Sequence, residues 1–125
     1  MIKSILIAGL GGFVGTTMRF LLSKYFQLNV ASAFPWGTFV INILGCFLIG
    51  LFYGLSDRGN IMTADWRLFL TVGVCGGFTT FSTFSNDSIL LLQNKEYLYF
   101  IVYSGLSFIL GLCFVVVGRS VTKLF

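Results

Sequence analysis

Four long runs of apolar residues, separated by short polar clusters, set the plan of this chain. They cover about residues 4–26, 36–55, 66–92 and 97–121. Each is long enough, at about 1.5 Å per helical residue, to cross a hydrocarbon core of about 30 Å. The first run outlasts the apolar part of a signal peptide and lacks a small-x-small cleavage site, so it is expected to remain as a span. The connections are residues 27–35, with the only proline, residues 56–65, with Asp57, Arg58 and Asp65, and the tight stretch 93–96. An even number of spans puts both termini on one side. The pattern predicts one all-α membrane domain of four transmembrane helices.

The third run is the odd one. As a straight helix it would be roughly 40 Å long, well beyond the hydrocarbon core. Its middle, residues 73–85, holds Gly76-Gly77 and then Thr79, Thr80, Ser82 and Thr83. This is poor material for an unbroken membrane helix, and a break is expected at the double glycine. Irregular backbone at membrane depth is tolerated only when buried in protein or lining a cavity. A broken helix offers carbonyl oxygens to cations and N–H groups to anions. The break is therefore the expected functional site. Other glycines serve contact: Gly11/Gly15 and Gly50/Gly54 have the spacing that lets membrane helices approach closely. The glycines from Gly9 do not form a nucleotide loop, since Val14 stands where the third glycine should be.

Composition agrees with a lipid environment and narrows the function. The 125 residues are 57% hydrophobic and only 10% charged, with no histidine. The net charge of +4 does not indicate nucleic acid, because the lysines and arginines are scattered at the ends of apolar runs. Counted by side, Lys3, Arg58, Arg67, Arg119 and Lys123 oppose Arg19, Lys24 and Lys95. That weak bias is compatible with insertion in either direction. Cys46, Cys75 and Cys113 are far apart in apolar runs and read as packing residues. No paired acid, histidine or metal cluster supports an enzyme. A proton-coupled small drug exporter would need a carboxylate within the bundle, usually in the first span, which has none.

Small polar or aromatic stripes mark three spans. Thr38, Asn42 and Gly45 share one face of the second, Phe81 and Phe84 pair in the third, and Tyr103 and Ser107 pair in the fourth. Each has a plainer reading: Asn42 as helix–helix glue, the phenylalanines as bulk, Tyr103 as an interface residue, Ser107 as a back-bonding hydroxyl. Arg19 reads as snorkelling toward the headgroups with Lys24. Together they suit a small anion that sheds its water. Such an ion needs N–H and O–H donors, and the positive edges of phenyl rings, without carboxylates to repel it. Asp87, late in the third run, is the nearest acid.

These residues carry a resemblance. Residues 11–19, 37–45 and especially 76–85, Gly-Gly-Phe-Thr-Thr-Phe-Ser-Thr-Phe-Ser, are similar to the small bacterial fluoride channels of the Fluc/CrcB family. The likeness covers nearly the whole chain and is looser in the fourth span. It implies an antiparallel, dual-topology homodimer in the bacterial plasma membrane with two fluoride pores. It implies that Asn42, Phe81 and Phe84 line each pore, and that Thr38, Thr80, Thr83, Tyr103 and Ser107 belong to its polar wall. Arg19 would lie near a vestibule. A central structural sodium ion would be held by backbone carbonyls of Gly76 and Thr79. The activity implied is passive fluoride export, not catalysis.

Overall fold

The computed structural model describes residues 1–59 and 62–124, and no strand occurs among them. In chain order the elements are α1 (Ile2–Asn29), α2 (Trp36–Ser56), α3 (Ala64–Arg67), a π-helical stretch (Leu68–Cys75), α4 (Gly76–Phe78), α5 (Phe81–Gln93) and α6 (Tyr97–Val121). A 3-10 turn, Thr122–Leu124, closes the described chain. Four segments are long and apolar enough to cross a membrane: Ile2–Asn29, Trp36–Ser56, Ala64–Gln93 and Tyr97–Leu124. The expected four-span all-α architecture is what is observed.

Polar contacts fix which ends lie together. Lys3, at the start of α1, pairs with Asp65 at 3.0 Å. Arg119, near the end of α6, pairs with Asp57 at 2.8 Å, and Arg58 donates to the Thr122 carbonyl at 2.5 Å. Both termini and the connection after α2 therefore share one end of the molecule. The two ion pairs are exposed and add little stability. At the other end, α1 runs on to Asn29, whose side chain donates to the Tyr25 carbonyl at 2.8 Å. The polar connection expected over residues 27–35 is thus shorter. It also carries Phe34 inward, where it is buried beside Tyr103, Leu91 and Phe39. The last connection, between α5 and α6, turns at Lys95, with φ at 59°.

Glycines set the packing. Membrane helices gain from van der Waals contact rather than from escaping water, so close backbone approach matters most. In the seam between α1 and the first half of the third span, a Cβ on Gly11 would lie 2.8 Å from the Gly73 Cα. One on Gly15 would land on the Val74 carbonyl, and one on Gly77 would lie 2.6 Å from the Gly12 carbonyl oxygen. A second seam joins α2 and α6, where Gly50 meets the Val115 carbonyl, Gly118 meets the Phe47 carbonyl and Gly54 meets Thr122. Both glycine pairs read from the sequence are close-contact positions.

The third span is broken, but not at its double glycine. Gly76 keeps helical angles, φ −62° and ψ −37°, and the helix continues through Phe78. The chain becomes extended at Thr79 (φ −97°, ψ 154°) and Thr80 (φ −152°, ψ 123°), then restarts at Phe81. The reason is division of labour. Gly77 is used for its missing side chain against α1, whereas the threonines supply what a break needs. β-Branched residues suit extended backbone. The Thr79 hydroxyl donates to the Cys75 carbonyl at 3.0 Å, and Thr80 caps α5 by accepting from the Thr83 N–H at 3.4 Å.

Candidate functional site

The break leaves backbone groups that a continuous helix would have paired, and side chains from α1 and α2 take up several of them. Residue 80 would ordinarily donate to the Gly76 carbonyl, four residues back. Its N–H goes to Asn42 Oδ1 instead, at 3.2 Å, while Asn42 Nδ2 donates to the Thr80 carbonyl at 3.4 Å. One amide side chain thus holds both polar groups of a single residue. Gly45, three residues along the same face of α2, leaves room for the Thr79 methyl group, which a Cβ there would strike.

Arg19 serves the same break from α1. Its Nε donates to the Gly77 carbonyl at 3.1 Å, the carbonyl left free because residue 81 starts a new helix. A cation here also faces the negative end of the first half-helix. The snorkelling expected from the sequence is therefore corrected: Arg19 is half-buried and turned to the protein interior.

Beside the break lies an open groove of about 420 Å³. Asn42, Gly76, Thr79, Thr80, Phe81, Phe84 and Ser107 line it, together with Thr71, Cys46, Cys75 and Phe108. Seven of the residues expected at the site thus share one surface. The Phe81 and Phe84 rings stand 5.8 Å apart and tilted by 39°, with Phe81 79% exposed. The Ser107 hydroxyl oxygen is buried and has no hydrogen-bond partner among the described residues. An unpaired buried hydroxyl is unfavourable unless something polar reaches it.

The remaining expected residues lie around the groove. Thr38 is half-buried one helical turn before Asn42, and Thr83 is half-buried in the first turn of α5. Tyr103 is completely buried, behind Phe84, with ring centroids 5.0 Å apart. Its hydroxyl donates to Asp87 at 3.3 Å. This revises the carboxylate-free picture drawn from the sequence. Asp87 lies in the middle of α5 and belongs to the line Phe81, Phe84, Tyr103, Asp87. The signal was present, since Asp87 follows Phe84 by three residues and so shares its helical face. Thr71 and the Cys75 thiol had no such signal, because the wide π-helical stretch sets which side they face, whereas Cys46 follows Asn42 by one turn of α2.

Can these residues hold a cation? The Gly76 carbonyl lacks its usual donor, since the Thr80 N–H goes to Asn42, and the Thr79 carbonyl sits in extended chain. Both residues line the groove. Carbonyls at the end of a half-helix and in the extended chain after it suit a hard monovalent cation. Two oxygens alone do not replace a cation's water shell, so one subunit supplies only part of such a site.

Known proteins resemble this chain over most of its length. The sequence profile described as "CrcB-like protein, Camphor Resistance (CrcB)" matches residues 6–119. A protein of Phocaeicola vulgatus named fluoride-specific ion channel FluC is 50% identical over 116 residues, covering 93% of this chain and 95% of the relative. Similar proteins of the same name occur in Bacteroides fragilis, 46% identical over 93% of both chains, and in Leptospira interrogans, 41% identical over 98% of this chain and 97% of the relative. Those relatives are named as channels, not enzymes. With four membrane-crossing segments and a profile match spanning nearly its whole length, this multi-pass bacterial membrane protein belongs to the CrcB-like family.

Proposed function

We propose that the chain forms a fluoride-selective channel that lets the anion leave the cell passively, down its electrochemical gradient, and so protects against fluoride. The observation that carries this reading is the groove at the helix break, where Asn42, Thr80, Ser107, Phe81 and Phe84 line one surface. Fluoride is small and strongly hydrated, so entry requires groups that replace its water. The free N–H of Asn42, the hydroxyls of Thr80 and Ser107, and the positive ring edges of Phe81 and Phe84 are such groups. None is a fixed cation, so binding stays weak enough for release. The partial positive charge at the start of α5 adds attraction at the same place. Thr38, Thr83 and Tyr103 extend the polar wall. Arg19 keeps its terminal N–H groups for an ion in the vestibule, since only Nε is committed to Gly77.

The groove is open along one side and bordered by exposed Phe81 and Phe108, so a single subunit does not enclose a path. A second copy, inserted in the opposite direction in the plasma membrane, would cover it and create two pores. The Gly76 and Thr79 carbonyls of both copies would then hold a structural sodium ion between the subunits, which supplies fixed charge that keeps the unwound segments together. Vesicles loaded with fluoride should empty when the purified protein is reconstituted, while chloride is retained. Equal loss of both ions would remove the selectivity claim.

A further inference from the structure

Asn42 is the group that ties α2 to the break. Its carboxamide does for Thr80 what a neighbouring strand would do, accepting from the N–H at 3.2 Å and donating to the carbonyl at 3.4 Å. Thr80 is thereby held extended, and the Thr79–Thr80 peptide, with the Thr79 carbonyl on it, is held with it. Because the Thr80 N–H is taken, the Gly76 carbonyl is left without its helical donor. One side chain therefore sets the orientation of one candidate cation ligand and leaves the other unpaired. The carboxamide has a further N–H, and Asn42 lines the groove.

We infer that Asn42 is a positioning residue that links the cation seat to the anion path, so that loss of its amide weakens cation binding as well as anion passage. The inference rests on the channel reading for the anion path and on the Gly76 and Thr79 carbonyls for the cation. Linkage makes the effect reciprocal: an anion that draws on the Asn42 amide changes cation affinity by the factor by which the cation changes its own. A role confined to the pore wall would leave cation binding untouched.

Two measurements on the purified, membrane-extracted protein decide this, neither needing ion flux. The first is hydrogen exchange of the Thr80 amide without fluoride. Asn42→Ala should exchange at least about tenfold faster there than the wild-type protein, a loss of about 1.4 kcal/mol of protection. Unchanged protection would overturn the latch. The second is a titration of thermal stability with sodium chloride in the absence of fluoride, against choline chloride. The sodium midpoint should rise at least about tenfold in Asn42→Ala. An unshifted midpoint with faster exchange would overturn the link while leaving the latch. If the wild-type protein gains nothing from sodium, the cation seat itself is wrong, the link falls with it, and the exchange result still decides the latch. Asn42→Ser, polar but too short to span both groups of Thr80, gives the same two readouts should the alanine variant not fold. It should show the same direction of change, and wild-type behaviour in it would overturn both claims.

Discussion

Phe81 and Phe84 stand together on the groove with opposite degrees of exposure, one mostly bare and the other backed by Tyr103. If their edges touch the permeating ion, Phe81→Ile and Phe84→Ile remove positive ring edges while keeping apolar bulk. Fluoride efflux from vesicles should then fall by more than about tenfold, equivalent to about 1.4 kcal/mol of barrier, with subunit assembly retained. Unchanged efflux in both variants would reassign the rings to packing. Arg19 offers a test of the opposite kind. Arg19→Met leaves the Gly77 carbonyl without its donor, and should lower thermal stability by about 1–3 kcal/mol. Stability equal to wild type would return the side chain to the headgroups. Asn42 combined two readings that sequence left apart: it joins helices, and it lines the groove.

Between elements, the glycines separate into those pressed against a neighbour and those facing open space. Gly15 meets the Val74 carbonyl and Gly50 the Val115 carbonyl, whereas Gly9 has nothing within 4 Å of its missing Cβ. Gly15→Ala and Gly50→Ala should each destabilise by about 1–3 kcal/mol, read from thermal melting, because backbone must move apart. Gly9→Ala should be neutral or stabilising by about 0.5–1 kcal/mol, since alanine suits a helix interior better than glycine. Equal behaviour of the three variants would mean that the seams are not close-packed. The break follows the same logic. Two adjacent glycines look like the weak point of a helix, yet one is locked against α1 and the chain parts at two threonines instead. Helix propensity lost to a packing seam that only the neighbouring helix reveals.

Across the molecule, few residues of the spans are buried within the subunit: 28% of the most apolar stretch of the third span and only 11% of that of α1. Lipid covers some of the rest. The open side of the groove is a different matter, because it exposes the extended backbone of the break, which at membrane depth must be covered by protein or line a cavity. The proposed antiparallel pair predicts that an impermeant reagent labels one part of a terminal tag in sealed cells, from outside, and the other part only after the cells are permeabilised. It also predicts that a cysteine placed at position 108 cross-links to a second chain in a background where the native cysteines are replaced. Labelling from one side only, with no cross-link, would point to a parallel or unpaired subunit.

The number of spans, the common side of the termini and the glycine contacts were legible in the sequence because they depend on runs and repeats along one chain. The third span was recognisable as interrupted for the same reason, from its length and its cluster of hydroxyl residues. Where it parts was not. That depends on whether Gly77 meets α1, whether Asn42 reaches Thr80, and whether Arg19 turns inward to Gly77, all contacts between residues far apart in the chain. Asp87 shows the same divide: its spacing placed it on the face of Phe84, but only packing brought the Tyr103 hydroxyl to it. Periodicity assigns a residue to a helix face, and the opposing helix decides what that face touches.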